Sequence, residues 1–394
     1  MVGRRVRSRA LPEPGTVARH QREKPLATAA TIPRFRAEHI GSLLRPKKLR
    51  EAYRSLRAGQ IGAFEFDPIR DQAIKDAVAL QEQLGFQLVT DGEFRRASYW
   101  SHLVGAIEGL TVRPSLFDFR DAKGEKQPFI APHVSGRLAR SRSLSGGEYD
   151  FTAKATKRTV KITLPSPSTL HFWRGREAVN PAAYRDLKTF FDELAGVFRA
   201  ELADLAKQGC TYVQFDEVPL AMLCDPQVCA ALRQRGEDPD LLVDFYIGAL
   251  NAAMRDRPKG MTVGMHMCRG NFRGKWLAEG SYEPVAERVF GQVEVDHFCL
   301  EYDSPRAGDF APLRFLPKDK GVVLGLVCSK TPSLEKIDDL RKRVDAAAKH
   351  VAVARLAVSP QCGFASAVSG NPVTEDDQKK KLSLVVELAK KVWG

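Results

Sequence analysis

The sequence predicts an α/β fold in which eight strands, each followed by a helix, close into a (β/α)8 barrel of the TIM type. Two observations lead to this prediction. A short apolar segment with a polar or glycine-containing end recurs along the chain, and a longer amphipathic segment follows it each time. A repeated strand-then-helix unit is typical of a parallel sheet, and eight such units are the number that this barrel requires.

Eight segments have the composition of buried strands. In chain order they are residues 36–44, 86–94, 160–168, 211–220, 261–268, 295–303, 321–329 and 355–364. Two of the helices have clear start and stop signals. The pair Asp67–Pro68 is predicted to open a helix that ends at Gly85. The pair Asn180–Pro181 is predicted to open another, which ends before Gly209.

Two parts of the chain fall outside the eight units. Residues 104–158 are predicted to be a β-rich insertion between the second and third strands, which could act as a lid. Residues 1–33 carry seven Arg or Lys against two Glu without apolar periodicity, so they are predicted to be a disordered basic tail. An organelle transit peptide remains an alternative for this tail. Residues 34–394 are then expected to form one catalytic domain.

Composition and charge exclude several classes of function. The net charge is +13, but much of the excess lies in the basic tail, and the remainder forms no basic stripe interleaved with aromatic residues. We therefore expect no nucleic-acid partner. No apolar run approaches the length of a membrane span, and no secretory signal is visible. The seven cysteines are scattered without CxxC pairs, which indicates a reducing, cytoplasmic location.

The segment MTVGMHMC, residues 261–268, raises the question of why a strand ends in two soft metal ligands. Residues i and i+2 of a strand face the same way, so His266 and Cys268 are predicted to point together into the barrel mouth. Glu301 and Cys362 end two later strands. A His, Cys, Glu, Cys set suits tetrahedral zinc. The alternative is a core histidine beside a buried thiol, and the shared placement of four ligands at strand ends favours zinc.

The motifs HIGSLLRP, VTDGEF, TLPSPSTLHFW, VQFDEVPL, HMCRGN, LEYDSPR and PQCGF, in this order from about residue 34 to the C-terminus, resemble the zinc-binding barrel of the cobalamin-independent methionine synthase family. The resemblance implies a transferase of methionine biosynthesis that moves a methyl group to a zinc-bound thiol. By match to the zinc motif of the family, His266, Cys268, Glu301 and Cys362 are the ligands. Glu301 is expected to be the ligand that the incoming thiolate displaces, which gives it a catalytic role.

The resemblance also implies a binding site for the acceptor, homocysteine. Glu93 and Asp216 match the acidic residues that hold its ammonium group, and Asp216 is therefore assigned a catalytic role with Glu301. Ile40, Gly41 and Ser42 match the segment that binds its carboxylate. Two carboxylates that face one cavity repel each other unless a cation lies between them, and a substrate ammonium would meet this need.

Other interpretations of these residues remain open. Asp216 or Glu93 could instead form a structural ion pair with Arg95, Arg96 or Arg269. Trp173 matches a tryptophan that stacks on the folate pterin in longer members of the family, although an aromatic residue near a loop is often part of the core. A homo-oligomer is also left open.

The methyl donor is the least defined part of the prediction. Longer folate-dependent relatives carry a DIHSP segment whose histidine helps to protonate the leaving folate, whereas residues 326–332, LVCSKTP, contain no histidine. This difference favours a methylated corrinoid over 5-methyltetrahydrofolate as the donor.

Two other functions compete with homocysteine methylation. One is alkyl transfer to another thiol, as in the epoxyalkane:coenzyme M transferases of the same family. The other is a non-enzymatic zinc or interaction protein that has kept the fold.

Overall fold

The computed structural model describes residues 33–394, so the basic tail predicted for residues 1–33 lies outside the described residues except for Pro33. The described chain forms twelve α-helices. They are α1 Lys47–Arg57, α2 Ala63–Leu84, α3 Ser101–Ala106, α4 Gly146–Ala155, α5 Thr169–Phe172, α6 Leu187–Lys207, α7 Val218–Met222, α8 Pro226–Gln234, α9 Pro239–Met254, α10 Glu283–Gln292, α11 Ile337–Ala348 and α12 Glu375–Trp393.

Twelve β-strands accompany these helices within residues 33–394. They are β1 Leu88–Val89, β2 Ile107–Pro114, β3 Phe119–Arg120, β4 Lys126–Gln127, β5 Ile130–Arg140, β6 Thr159–Val160, β7 Ile162–Pro165, β8 Tyr212–Asp216, β9 Thr262–Met267, β10 His297–Glu301, β11 Gly321–Val327 and β12 Leu356–Pro360.

The central sheet is parallel and follows the chain order that the sequence predicts. Strands β7 to β12 form one six-stranded sheet in which each strand pairs with the next along the chain. Strand β1 pairs in parallel with β6, which only Lys161 separates from β7. Seven of the eight predicted segments therefore contain a strand. Strands β8, β10, β11 and β12 are buried along their whole length, as expected for a parallel sheet that is covered on both faces.

The first predicted strand, residues 36–44, is not a strand in the structure. It makes one isolated parallel bridge, Ala37 to Val358 of β12, and the N–H of Glu38 donates to the carbonyl of Val358 (3.0 Å). On its other side, the N–H of Leu43 donates to the carbonyl of Gly92, just beyond β1 (3.1 Å). The segment therefore lies between the last and first strands, but within residues 33–394 no continuous ladder joins them. Closure into a complete barrel stays a prediction.

Both predicted helix starts are wrong by several residues. Helix α2 begins one turn before Asp67–Pro68, with Gly62 as its N-cap. Helix α6 begins at Leu187, because the side chain of Asp186 accepts a hydrogen bond from the N–H of Thr189 and caps it there. A side-chain acceptor that satisfies a free N–H group outweighs the signal of an earlier proline. The predicted ends are confirmed, since Gly85 and Gly209 follow the helices with positive φ angles.

The predicted insertion, residues 104–158, contains a long antiparallel hairpin of β2 and β5 and a small one of β3 and β4. Gly109 lies at an irregularity in the long hairpin with φ 82°, where a Cβ would approach the carbonyl oxygen of Arg137 to 2.4 Å. The sequence predicts β-structure near residues 146–155 as well, but they form helix α4. Helix α4 is fixed by a distant contact, in which Glu148 accepts hydrogen bonds from the guanidinium of Arg96 (2.6 to 3.1 Å). The insertion is thus joined to the segment that follows β1.

No helix formed by residues 33–394 has both the length and the apolar character that crossing a membrane requires.

The buried histidine of helix α5 predicts a specific loss of stability in acid. His171 is buried, and burial lowers its pKa to about 4, whereas an unfolded histidine has a pKa near about 6.5. Unfolding therefore takes up a proton between these values, so the contribution of His171 to stability is present above about pH 6.5 and is lost as the pH falls toward 4. Urea titrations at about pH 7 and about pH 5 measure the decrease in unfolding free energy on acidification. This decrease should be smaller for His171→Phe than for the parent, and the difference should be at most about 1.4 kcal/mol per pH unit. Parallel pH dependences of the two proteins would contradict this assignment.

Candidate metal and acceptor site

Three of the four predicted metal ligands lie together at the ends of parallel strands. His266 lies in β9, Cys268 directly follows that strand, and Cys362 follows β12 by two residues. The ligand atoms of these three side chains all lie within 4.8 Å of one another. An imidazole and two thiols at this separation could hold one metal ion of the kind that prefers nitrogen and sulfur ligands, above all zinc.

The imidazole of His266 has the orientation that a metal ligand needs. The ring is buried, and Nδ1 lies 3.2 Å from the carbonyl oxygen of Cys299 on the neighbouring strand β10. A carbonyl can only accept, so Nδ1 carries a proton and Nε2 is the nitrogen that is left to bind a metal ion. In residues 33–394, Nε2 has no hydrogen-bond partner of ordinary geometry. A backbone partner on one ring nitrogen, which leaves the other nitrogen for the metal ion, is typical of a histidine that binds zinc.

The two thiols of the cluster differ in their affinity for a proton. The hydrogen bond between Cys268 and Cys362 raises the pKa of the Cys268 thiol well above its usual value, and burial acts in the same direction. The same hydrogen bond lowers the pKa of Cys362 well below its usual value, and the neighbouring His266 lowers it further. One thiolate is therefore favoured in the protein itself, and a bound metal ion would favour the second.

Glu301, the predicted fourth ligand, borders the cluster. It ends β10, is fully buried and does not belong to the group of three ligand atoms. Its carboxylate accepts a hydrogen bond from the N–H of Arg269 (2.6 Å) and lies 3.4 Å from the ammonium of Lys330. Burial would raise the pKa of Glu301, but Lys330 and Arg269 outweigh burial and lower it. Glu301 is thus an ionised carboxylate whose charge also acts on the Cys268 thiol.

A cavity of about 50 Å³ joins the metal ligands to the predicted acceptor residues. The residues predicted from the sequence that line it are Gly41, Ser42, Glu93, Trp173, Asp216, His266, Cys268 and Cys362. The side chain of Ile40 instead packs in a small apolar cluster with Cys299, Val323 and Ala357. Ile40 therefore does not line the cavity, whereas its neighbour Gly41 does.

Glu93 is held in a strained backbone conformation at the cavity wall. Its φ of 58° lies in the left-handed region that residues other than glycine rarely adopt. Its carboxylate accepts hydrogen bonds from the hydroxyl groups of Ser42 and Thr163, the latter at 2.8 Å. Strain of this kind persists only where surrounding contacts fix it, and such residues cluster at functional sites.

Of the ion pairs that the sequence left open, the structure has only a long contact between Arg96 and Glu93. Arg95 pairs with Asp71 (2.8 Å), and Arg269 donates to the carbonyl of Gly280. Arg96 lies 3.9 Å from the Glu93 carboxylate, but its main partner is Glu148 at 2.6 Å. No lysine or arginine within residues 33–394 forms an ion pair with Asp216.

Asp216 is a buried carboxylate that is poised between its two protonation states. Burial raises its pKa to about 7, with Glu93 acting in the same direction and His266 in the opposite one. Its Oδ1 accepts a hydrogen bond from the amide of Gln214 (2.8 Å). A cationic group in the cavity would favour the ionised form.

A second, larger cavity of about 470 Å³ adjoins the first and is mainly apolar. Tyr99, Phe119, Trp173, Asn271 and Ser366 line both cavities. Phe119 belongs to β3, so the insertion contributes to the wall. The sequence did not indicate Tyr99, Phe119 or Ser366 as site residues, because no local pattern marks them. Asn271 could have been found, since it ends the HMCRGN motif.

Comparisons with known proteins show the family of the chain. A model of the family described as the catalytic domain of cobalamin-independent synthase matches residues 35–391. The uncharacterized protein YxjH of Bacillus subtilis is 37% identical over 366 residues, which are 91% of this chain and 95% of that protein. A methionine synthase of Pyrococcus abyssi is 26% identical over 332 residues, which are 82% of this chain and 85% of that protein.

Solved structures share the mixed α/β fold. A protein of Listeria monocytogenes that is provisionally assigned as a vitamin-B12-independent methionine synthase superposes with a TM-score of 0.71 at 29% identity, covering 91% of this chain and 98% of that one. A B12-independent methionine synthase of Shewanella sp. W3-18-1, in complex with selenomethionine, gives a TM-score of 0.70 at 19% identity, covering 91% and 97%. At the latter identity the likeness concerns the fold alone.

The cluster of His266, Cys268 and Cys362 predicts that the protein binds about one equivalent of zinc per chain. Cys268→Ser and Cys362→Ser should each lower the zinc content, because a hydroxyl is a much poorer zinc ligand than a thiolate. Elemental analysis after dialysis measures the effect. Cys210→Ser is the matched control, since Cys210 is also buried but lies outside the cavity. Full zinc occupancy in both site variants would mean that the metal lies elsewhere.

Proposed function

The chain belongs to the family of cobalamin-independent synthase catalytic domains, and from this premise we propose that it transfers a methyl group to the thiol of homocysteine with the help of zinc. One observation carries the proposal. Soft metal ligands, among them His266 and Cys268, and two carboxylates, Glu93 and Asp216, line the same small cavity. A substrate that carries both a thiol and an ammonium group could bind the metal ion through its thiol and the two carboxylates through its ammonium group.

The carboxylates explain why an amino-acid thiol fits better than a simple thiol. Burial raises the pKa of Asp216, and the nearby Glu93 carboxylate raises it further. An ammonium group between them would relieve this repulsion and form charge-assisted hydrogen bonds. The backbone N–H groups of Gly41 and Ser42 are the candidates for contacts with the substrate carboxylate, because the Ser42 hydroxyl already donates its hydrogen to Glu93.

The metal site fits zinc on chemical grounds. A bound zinc ion would keep the acceptor thiol as a nucleophilic thiolate at neutral pH. His266, Cys268 and Cys362 would hold the ion, with Glu301 as the proposed fourth ligand. Glu301 is the hardest donor of the four, and Lys330 and Arg269 already stabilise its free carboxylate. We therefore propose that Glu301 is the ligand that gives way to the acceptor.

X-ray absorption on zinc-loaded protein should show one oxygen neighbour replaced by sulfur when homocysteine is added.

Two alternatives fit the cavity less well. A thiol with a sulfonate group, as in coenzyme M, would place the negative charge of the sulfonate against the carboxylates of Glu93 and Asp216. A zinc carrier without enzymatic activity would not need a cavity that joins the ligands to a strained carboxylate such as Glu93.

The methyl donor is proposed to enter through the larger apolar cavity, which Trp173 shares with the acceptor cavity. A methyl group on a folate nitrogen is a poor electrophile until that nitrogen is protonated, and residues 326–332 offer no histidine for this step. Cob(I)alamin leaves without a proton. We therefore propose a methylated corrinoid, or another activated methyl carrier, as the better donor.

The acceptor assignment predicts a large effect of Asp216→Asn on homocysteine binding. Loss of a charge-assisted hydrogen bond should raise the KM for homocysteine by about 10- to 100-fold, because such bonds contribute about 1.5 to 3 kcal/mol. Zinc content should stay at the parental value. Steady-state methyl transfer and elemental analysis on the same preparations measure the two effects.

Glu217→Gln is the matched control for Asp216→Asn. Glu217 is the adjacent buried carboxylate, but it accepts hydrogen bonds from Ser168 (2.7 Å) and from the N–H of Leu220 (3.1 Å) and does not line the cavity. Its replacement should leave the KM for homocysteine nearly unchanged. If Asp216→Asn behaved like this control, Asp216 would have a structural role only.

The donor assignment predicts that the zinc-loaded protein forms methionine faster with methylcobalamin than with free 5-methyltetrahydrofolate at equal concentration. A missing general acid typically lowers a rate by about 10²- to 10⁴-fold. Cys328→His, which places an imidazole in the segment that lacks one, should raise the folate rate relative to Cys328→Ala. Equal or faster turnover of the parent with the folate would contradict the proposal and direct attention to Cys328 or Lys330 as the acid.

A further inference from the structure

A second polar cluster lies inside the sheet, a few residues before the strand ends that form the cavity. Its members are Glu38, Lys161, Tyr212, Gln214 and His297, and the exposed fraction of each is at most 1%. Gln214 precedes Asp216 by two residues on β8, so their side chains share a face of the strand. Buried polar groups on this scale need a complete set of hydrogen-bond partners.

The ammonium of Lys161 fixes the orientation of the Gln214 amide. Lys161 Nζ donates to Glu38 Oε2 (3.3 Å), to the carbonyl of His39 (2.5 Å) and to Gln214 Oε1 (3.0 Å). An ammonium group has three hydrogens and no acceptor, so Gln214 must turn its oxygen toward Lys161. The amide nitrogen of Gln214 then faces the other way, where it donates to Asp216 Oδ1 (2.8 Å) and to the carbonyl of Ile40 (3.0 Å).

The other end of the cluster is equally well ordered. The hydroxyl of Tyr212 donates to Glu38 Oε1 (2.6 Å), so it must accept from His297 Nε2 (2.8 Å). Burial lowers the pKa of His297, which keeps its ring neutral. Gly264 makes room for this ring, since a Cβ at residue 264 would lie 2.3 Å from His297 Nε2. Each N–H or O–H hydrogen of the series therefore has a defined acceptor, whereas His297 Nδ1 has no hydrogen-bond partner among the described residues.

Glu38, His297 and Cys299 also lie close enough to hold a metal ion, with ligand atoms within 4.8 Å of one another. The contacts of Glu38 argue against this use. Both of its carboxylate oxygens already accept hydrogen bonds, and the ammonium of Lys161 at 3.3 Å would repel a cation. The cluster is better explained as a support for the cavity than as a second metal centre.

We propose that Lys161 is a positioning residue for the acceptor, acting through Gln214 on Asp216. Without the lysine, the Gln214 amide could rotate and present its oxygen to the carboxylate, which would replace an attraction by a repulsion. With the lysine in place, Oδ1 of Asp216 is held by Gln214, and the carboxylate is presented to the cavity in one orientation. The proposal rests on the proposed function, in which Asp216 binds the substrate ammonium.

The test compares Lys161→Met with Lys320→Met in zinc-loaded full-length protein. Lys320 is also buried and directly precedes a strand, but it donates to the carbonyl groups of Phe290 and Val293, neither of which lines the cavity. Lys161→Met should raise the calorimetric Kd and the KM for homocysteine about tenfold, with kcat at saturation and zinc content within about twofold of the parent. Lys320→Met should alter none of these quantities, although both variants lower the thermal unfolding midpoint.

Two further variants separate positioning from general destabilisation. Gln214→Leu keeps Lys161 and Glu38 but removes the amide, and it should reproduce the loss of homocysteine affinity even if Lys161→Met does not fold. In combination with Asp216→Asn, either change should add little to the effect of Asp216→Asn alone, because all three act on one contact.

The outcomes distinguish the role of Asp216 in homocysteine binding from the positioning role of Lys161. If Asp216→Asn leaves the affinity for homocysteine unchanged, the proposed function of Asp216 fails. If Asp216→Asn weakens binding but Gln214→Leu does not, only the positioning role is overturned. Fully additive effects of Gln214→Leu and Asp216→Asn would overturn it as well, since independent sites add.

Discussion

The site depends above all on the register of three parallel strands. In that register Asp216 of β8 lies opposite His266 of β9, and His266 lies opposite Cys299 of β10. Asp216, the proposed acceptor residue, and His266, the proposed metal ligand, are thereby brought side by side, and the carbonyl of Cys299 becomes available to hold the His266 ring. Because side chains alternate between the faces of a strand, a shift of β9 by one residue would turn both His266 and Cys268 to the opposite face.

This register concentrates anionic groups, and the fold compensates for them from outside the cavity. Lys330 lies 3.4 Å from Glu301, and Arg96 lies 3.9 Å from Glu93. Neither cation belongs to the cavity wall, which among the described residues includes no lysine or arginine. A buried carboxylate is stabilised by a cation on one side and remains able to bind another on the other side. The proposed substrate ammonium would therefore meet Glu93 and Asp216 on a side where the cavity wall has no lysine or arginine.

The parts that the sequence predicted correctly are those that depend on short-range patterns. Seven of the eight strand segments and the proximity of the HMC and PQC motifs follow from apolar runs and parallel strand order, whereas residues 36–44 make only an isolated bridge. The parts that could not be predicted depend on distant contacts. Helix α4 is held by the contact between Glu148 and Arg96, which are 52 residues apart in the chain. The contact of Glu301 with Lys330, which is 29 residues away in the chain, is likewise one that no local pattern encodes.

The two cavities differ in the same way, since one is formed by short motifs at strand ends and the other by contacts between distant parts of the chain. The acceptor cavity is built by strand ends, whose spacing fixes Asp216, His266 and Cys268 relative to one another. The larger cavity is built by loops and by the insertion, through residues such as Phe119 and Phe129. Strand ends tolerate little change without loss of the sheet, whereas loops tolerate substitution and insertion. We therefore expect the proposed acceptor to be recognised by residues of short motifs, and the proposed donor to be recognised through the packing of the insertion over the strand ends.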